Sequence, residues 1–117
     1  MKLPNVEAAT VPQAKIRDYL LAPTHESGKG KAGFFNRFGY SLERWEALAS
    51  ALLQHAAENE IAKVEDSPFG KRYVIEGEIQ TPDGRTPMVR AVWFIDHEQD
   101  MPRFVTAYPL KRKGEDT

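Results

Sequence analysis

Apolar residues recur at helical spacing in three segments of the first half of the chain. The first segment starts near Pro12, which suits the first turn of a helix, and ends at Ala22 and Pro23. The second stops at Gly39, and the third runs from Ser41, a favourable N-cap residue, to Asn59. The three apolar stripes are Ile16, Tyr19 and Leu20; Phe34, Phe35 and Phe38, with Lys31 on the same face; and Leu42, Trp45, Leu48, Leu52 and Ala56. The pattern therefore predicts three helices.

From Ile61 onward the alternation becomes that of β-strands, interrupted by turn signals at 67–70, 81–84 and 96–102. It predicts four strands near 61–66, 71–80, 85–95 and 103–109, and the short connections favour an antiparallel meander. The predicted fold is therefore α+β, with three N-terminal helices packed on one face of a four-stranded antiparallel meander. We expect one globular domain over residues 1–110 and a polar tail over 111–117.

The turn Thr81-Pro-Asp-Gly84 predicts the register of the second hairpin. As a type I turn with Gly84 in a left-handed conformation, it pairs Thr81 with Arg85. The pairs that follow on the helix-facing side are Tyr73 with Trp93, Ile75 with Ala91, and Gly77 with Val89. On the other face Glu76 lies opposite Arg90. A charged arginine inside an apolar strand needs a partner, so we expect an ion pair between these two residues.

The composition is ordinary for one soluble globular domain, with 117 residues, 41% hydrophobic and 28% charged. The absence of cysteine excludes disulfides, iron-sulfur clusters and thiol nucleophiles, and it agrees with a cytoplasmic location. The longest apolar run, from Ala91 to Ile95, is too short to span a bilayer, and no signal peptide is recognisable. We therefore expect neither a secreted nor a membrane protein.

The net charge is -1, but the charges are segregated along the chain. Five bases oppose two acids between Ala14 and Arg37, which makes that segment +3, and six acids oppose two bases between Glu43 and Asp66, which makes that segment -4. The acidic stretch is typical of a solvated helix face. The basic stretch is either solvated or a phosphate-binding surface.

The segment Gly28-Lys-Gly-Lys-Ala-Gly33 matches the G-x-G-x-x-G spacing of dinucleotide-binding loops. A helix precedes it where that motif needs a strand, so we interpret the match as chance and expect no cofactor. Lys29 and Lys31 nevertheless stand at a helix start, where free amide groups favour an anion such as phosphate. The histidines lack the H-E-x-x-H spacing of zinc proteases, and we expect no metal site; His55 is predicted to be a hydrogen-bonded boundary residue.

Three candidate groups carry both a structural and a functional interpretation. Lys31 either covers aromatic rings with its aliphatic stem or points into a pocket. The Arg90 and Glu76 pair is either a cross-strand ion pair or an acid-base and phosphate-binding pair. His25 stands in the loop before the basic helix start, where it is either structural or chemical.

The face of the last strand is left open by the sequence. Thr106 and Tyr108 join Arg90 if the strand places Phe104, Thr106 and Tyr108 on that side, whereas Val105 and Ala107 are alternative core residues.

Several blocks resemble an uncharacterised bacterial domain family. They are Tyr19-Leu-Leu-Ala-Pro-Thr-His25, continuing through Gly28 and Lys31-Ala to Phe35, and the later Val89-Arg-Ala-Val-Trp93 and Pro102-Arg-Phe-Val-Thr-Ala-Tyr108. The first follows the pattern YLL-x-P-x-H-x-x-G-x-x-KA-x-x-F. Relatives occur as small stand-alone proteins and as C-terminal modules resembling polymorphic toxins.

The order of helices and sheet is also similar to that of the barnase, EndoU, colicin D and RelE ribonucleases. That resemblance implies a metal-independent endoribonuclease in which His25 or Glu76 deprotonates the RNA 2′-hydroxyl. Lys31 and Arg90 would stabilise the phosphate charge, Thr106 would hydrogen-bond a phosphate oxygen, and Lys29, Arg72 and Tyr108 would bind the substrate.

The alternative is a non-enzymatic protein-binding module, immunity-like or an adaptor, that uses the acidic helix or an open strand edge. The isoelectric point near 6.3 favours that module, whereas the set of Lys31, Arg90 and His25 favours the nuclease. The expected partners are accordingly RNA and a cognate antitoxin or immunity protein, with no membrane partner. The sequence gives no oligomeric state.

Overall fold

The computed structural model describes residues 1–21 and 29–110. Three predictions fall outside these described residues: His25, the loop that carries it, and the polar tail over 111–117. The side chains of Lys29 and Lys31 are likewise not described, although the backbone of both residues is.

The helices occur where the apolar spacing predicts them. Helix α1 (Gln13–Lys15) continues directly as a π-helical turn over Ile16–Leu20. Helix α2 spans Lys29–Arg37 and is followed by Gly39, whose positive φ of 102° allows the chain to turn. A short 3-10 turn (Leu42–Arg44) then leads into α3 (Trp45–Glu58), the longest helix.

Four strands follow in one antiparallel sheet, in the spatial order β1-β2-β3-β4. They are β1 (Ile61–Ser67), β2 (Gly70–Glu78), β3 (Met88–Asp96) and β4 (Arg103–Pro109). The predicted α+β fold and meander are therefore confirmed. The loop between β2 and β3 is longer than predicted, because β3 begins only after Pro87, which has no N–H to donate across the ladder.

The predicted register of the β2-β3 hairpin is confirmed, including the pairs Tyr73 with Trp93 and Glu76 with Arg90. Its turn has the expected features. The amide of Gly84 donates to the carbonyl of Thr81 over 3.1 Å, and Gly84 has a φ of 89°.

A bulge decides which side chains of β4 face the helices. Val92 pairs with Thr106 but the next residue, Trp93, pairs with Phe104, so that Val105 is the extra residue. Phe104 and Ala107 are consequently both buried in the helix-facing core. The sequence alternation that grouped Phe104 with Thr106 and Tyr108 fails at this bulge.

The core lies between the helices and one face of the sheet. Its largest fully buried residues include Trp93, Phe35, Phe104, Ile16, Leu48, Leu52 and Ile75. Trp93 and Phe104 stack edge to face, with ring centroids 5.5 Å apart. His55 is 1% exposed and lies within this core, so the prediction of a boundary position is wrong, while that of a hydrogen-bonded histidine is confirmed. Within the described ranges, every helix is too short or too polar to cross a membrane.

Candidate functional site

The sheet face opposite the helices carries most of the predicted site residues, and we call it the outer face. Strand alternation places side chains from all four strands on it. They are Lys63 and Glu65 on β1, Arg72, Val74 and Glu76 on β2, Arg90 and Val92 on β3, and Thr106 and Tyr108 on β4.

Glu76 and Arg90 form an ion pair directly across the β2-β3 ladder. Nε of Arg90 lies 2.6 Å from Oε2 of Glu76, and Nη2 lies 2.5 Å from the same oxygen. In the part of the chain that the structure describes, the other oxygen, Oε1, has no hydrogen-bond partner. The two side chains are about one third exposed, at 33% and 36%. The predicted pair is thus confirmed, and one carboxylate oxygen remains available to a ligand.

Tyr108 completes a three-residue cluster around the guanidinium group. Nη1 of Arg90 donates to the Tyr108 hydroxyl oxygen over 3.2 Å, and Cζ lies 5.5 Å from the centroid of the Tyr108 ring. These contacts and the Glu76 hydrogen bond favour the charged guanidinium and raise the pKa of Arg90. Arg90 is therefore a fixed cation held by groups from both neighbouring strands.

A second charged cluster lies further along the outer face. Nη1 of Arg72 donates to Oε1 of Glu65 over 2.6 Å, and Nζ of Lys63 lies 3.2 Å from Oε2 of the same carboxylate. The pKa of Glu65 is lowered by its hydrogen bond from Arg72, which is the largest single cause, and by the hydrogen bond and charge of Lys63. A register shift after Ile61 turns Lys63 and Glu65 to this face.

The two clusters line one shallow cavity of about 360 Å³. Its lining residues are Ala62, Lys63, Glu65, Arg72, Val74, Glu76, Arg90 and Tyr108. The cavity is thus lined by three cations, two carboxylates and a phenol, together with the apolar side chains of Ala62 and Val74. Such an arrangement can bind a phosphate group and hold a carboxylate beside it.

The structure brings four of the eight predicted site residues to this cavity: Glu76, Arg90, Tyr108 and Arg72. Thr106 lies on the same face, opposite Val92 and two residues from Tyr108. Lys29 and Lys31 belong to the first turn of α2, and His25 lies outside the described residues.

Sequence reasoning missed Lys63 and Glu65 as cavity residues. The sequence did contain a signal for them: Lys63 and Glu65 alternate with Val64 just before the turn at 67–70, and a hairpin at that turn places Glu65 opposite Arg72. In the described ranges, no three His, Cys, Asp or Glu residues are grouped as metal ligands.

Comparisons with known proteins agree with this fold. A family described as "Domain of unknown function (DUF6883)" matches residues 2–111. Among solved structures, the chain is similar to one from the "Contact-dependent growth inhibition toxin - immunity protein complex from Klebsiella pneumoniae 342". The TM-score is 0.72 at 18% identity, and the similarity covers 92% of this chain and 97% of that chain. At this identity the likeness establishes a shared fold. The chain has no significant match among curated proteins.

Proposed function

The chain belongs to the DUF6883 domain family, and we propose that it is a metal-independent endoribonuclease of a bacterial toxin system. The observation that carries the proposal is the cluster of Glu76, Arg90 and Tyr108 at one end of the outer-face cavity. Together these residues supply a proton acceptor, a fixed cation and a hydroxyl group around a space that fits one phosphodiester.

Glu76 is the proposed general base. Because the hydrogen bond from Arg90 goes to Oε2, Oε1 can accept the proton of an RNA 2′-hydroxyl. The resulting 2′-oxygen attacks the adjacent phosphorus, and the bond from phosphorus to the 5′-oxygen breaks. The leaving 5′-oxygen takes up a proton from water, Glu76 returns its proton to the solvent, and the products end in a 2′,3′-cyclic phosphate and a 5′-hydroxyl. His25 is the alternative base, as the sequence resemblance suggests.

Arg90 is the proposed electrostatic catalyst. Its guanidinium is held by Glu76 and Tyr108 before the substrate arrives, so little reorganisation accompanies the build-up of charge on the phosphate oxygens. A protein cation in this position performs the charge stabilisation that a metal ion performs in other nucleases. The proposed mechanism therefore needs no metal ion.

Arg72 and Lys63 would bind the neighbouring phosphate along the same cavity, since both already surround one carboxylate, Glu65. Tyr108 would hydrogen-bond the phosphate or stack on a base, and Thr106 would hydrogen-bond a phosphate oxygen. Lys31 is proposed as a further phosphate-stabilising cation and Lys29 as a substrate-binding one, from their place at the start of α2.

The likeness to a chain from a toxin and immunity protein complex supports the assignment to a toxin system. On this proposal the chain has a cognate immunity protein that binds it and covers the outer-face cavity.

The second candidate function is a non-enzymatic immunity-like protein. It is favoured by the same likeness, because that complex contains an immunity protein as well as a toxin. Under this alternative the charged outer face would bind a protein partner, and the Glu76 and Arg90 pair would be structural.

Incubation of the purified protein with RNA in excess EDTA separates the two functions. The nuclease should leave 2′,3′-cyclic phosphate ends, and Glu76→Gln or Arg90→Met should each lower the rate about 10²-fold or more. A loss of this size in His25→Ala but not in Glu76→Gln would identify His25 as the base. If the Glu76→Gln variant cleaves at the wild-type rate, Glu76 is not the base. If wild-type protein leaves RNA intact, the nuclease proposal is wrong.

The matched control is Arg103→Met. Arg103 also pairs with a carboxylate, Asp96 at 3.3 Å, and lies 5.0 Å from an aromatic ring centroid, that of Phe94, but it does not line the cavity. This variant should cleave at the wild-type rate. Equal losses in Arg90→Met and Arg103→Met would mean that the assay reports stability and not chemistry.

A further inference from the structure

A second cavity, lined by aromatic rings, adjoins the outer-face site. We propose that this aromatic cavity binds an unpaired nucleobase of the RNA next to the cleaved phosphodiester, so that the substrate is single-stranded RNA or a loop. This inference rests on the proposed ribonuclease function and adds the class of RNA that the site accepts.

Residues that line the aromatic cavity lie close to the site residues along β3 and β4. Met88 precedes Arg90 by two residues on β3, and Leu110 follows Tyr108 by two residues just beyond β4. The amide of Leu110 donates to the carbonyl of Met88 over 2.9 Å, which extends the β3-β4 ladder by this step. Two residues along a strand span about 6.8 Å. The cavity is therefore one short step from the proposed catalytic cluster.

The walls present flat aromatic surface. Phe34 on α2 and Phe38, the residue just after this helix, lie four residues apart with ring centroids 5.0 Å apart, and both rings are half-buried. The volume is about 300 Å³, and the lining includes Phe34, Phe38, Arg85, Pro87, Met88 and Leu110. Every nucleobase has a π face, and stacking on aromatic side chains is the usual way in which proteins hold single-stranded bases.

Arg85 provides a fixed guanidinium at the same cavity. Its Cζ lies 4.3 Å from the centroid of the Phe38 ring, and Nη2 donates to the carbonyl of Arg37 over 3.1 Å. Asp83 holds it from the other side, with Nε of Arg85 2.7 Å from Oδ2. This arrangement lowers the pKa of Asp83 to about 2. The guanidinium is therefore positioned in advance to stack on a base or donate to its edge.

These features select for unpaired RNA. A base inside a duplex is stacked on both sides and its edge is paired, so it cannot enter a cavity between two phenyl rings and a strand. Met88 and Leu110 both line the aromatic cavity and are joined by a backbone hydrogen bond. The RNA strand would pass over them from the aromatic cavity to Arg90.

The test uses a fluorescently labelled 10-nucleotide RNA in which every 2′-hydroxyl is methylated, which allows binding but not cleavage. In a series of such probes, each probe lacks the base at one different position. Binding to wild-type protein is measured by fluorescence anisotropy. One or two base deletions should weaken binding about 5- to 100-fold, and the fully paired duplex should bind at least tenfold more weakly than the single strand.

The variant Phe38→Leu tests whether the weaker binding of the base-deleted probes arises in the aromatic cavity. It keeps an apolar side chain but removes the π face, and should weaken binding of the intact probe while making the sensitive base deletion nearly neutral. Phe69→Leu is the matched control, because Phe69 is 77% exposed in the turn between β1 and β2. That variant should retain the wild-type pattern.

The outcomes separate this inference from the proposed function. If the protein cleaves RNA but base deletion or Phe38→Leu has no effect on binding, the aromatic-cavity inference is wrong and the nuclease proposal stands. If the expected pattern appears but unmodified RNA is not cleaved, the aromatic cavity binds an unpaired base and the nuclease proposal is wrong. Equal binding of single strand and duplex, or no binding of either, overturns the inference.

Discussion

His55 on helix α3 reaches the sheet, where its Nε2 lies 3.0 Å from the carbonyl oxygen of Val89 on β3. The same nitrogen is 3.2 Å from the carbonyl oxygen of Gly77 on β2. Both contacts are to acceptors, so Nε2 carries the proton, and Nδ1 has no hydrogen-bond partner among the described residues. The neutral ring thus connects the longest helix to the two central strands.

We expect the protein to lose stability in mild acid because of this histidine. Burial lowers the pKa of His55 in the folded state below its usual value near 6.5. Below pH 6.5 the unfolded chain binds a proton that the folded chain resists, so stability is present above that pH and falls as the pH drops toward the folded pKa. The limiting slope is about 1.4 kcal/mol per pH unit. Urea unfolding at pH 7.5, 6.5, 5.5 and 5.0 measures it.

The control for the pH effect is His55→Gln, which keeps a hydrogen-bond donor but does not titrate. This variant should be less stable at pH 7.5, and its stability should depend less on pH below 6.5. An unchanged slope in His55→Gln would assign the acid sensitivity to other groups.

Gly77 allows α3 to approach β2 closely, and we expect Gly77→Ala to destabilise the fold by about 1–3 kcal/mol. A Cβ atom at this position would lie 2.1 Å from Oδ1 of Asn59. Asn59 cannot easily move away, because its Nδ2 donates to the carbonyl of His55 over 2.9 Å at the end of the helix. The measurement is the free energy of unfolding in urea.

The double variant Gly77→Ala with Asn59→Ala tests the cause. It removes the side chain that the new Cβ would meet, so its loss of stability should be smaller than the sum of the two single losses. Additive losses would show that the glycine is required for another reason.

We expect the charges of Glu76 and Arg90 to contribute to stability only as a pair. Arg90→Met alone should lower stability by about 1 kcal/mol, because it leaves the Glu76 carboxylate, which is only about one third exposed, without its ion-pair partner. Adding Glu76→Gln should restore most of that stability while cleavage stays absent. Thermal unfolding and the EDTA cleavage assay are measured on the same samples. A double variant that still cleaves RNA would contradict the catalytic roles of both residues.

RNA binding should depend steeply on salt, because phosphate contacts release counterions. The +3 segment suggests that Lys29 and Lys31 make two such contacts. Replacing both with Ala should weaken binding of the methylated probe and reduce the slope of log K against log salt by about 1.4. Binding is titrated from about 50 to about 200 mM salt.

Lys71→Ala serves as the salt control, because Lys71 is exposed on β2 and does not line the outer-face cavity. It should leave the slope unchanged. A wild-type slope in the double lysine variant would remove Lys29 and Lys31 from the RNA-binding surface. Binding that does not depend on salt would favour a protein partner.

The local sequence is enough to predict those features of this protein that depend on residues close together in the chain. The register of β2 and β3 follows from the four-residue turn ending at Gly84, because a hairpin turn and strand alternation together determine every later pair. That register places Glu76 opposite Arg90. Helix α3 likewise follows from the spacing of its own apolar residues.

Tertiary packing decides which other side chains lie beside the Glu76 and Arg90 pair on the outer face. The bulge in β4 turns Phe104 into the core and keeps Tyr108 beside Arg90. The register shift in β1 similarly brings Glu65 to the outer face. Both irregularities arise because apolar residues must fill the space under the helices, and that space is formed by elements distant in sequence. The burial of His55 also depends on tertiary packing, because the two carbonyl oxygens that accept its hydrogen bonds lie on β2 and β3, which are distant from α3 in sequence.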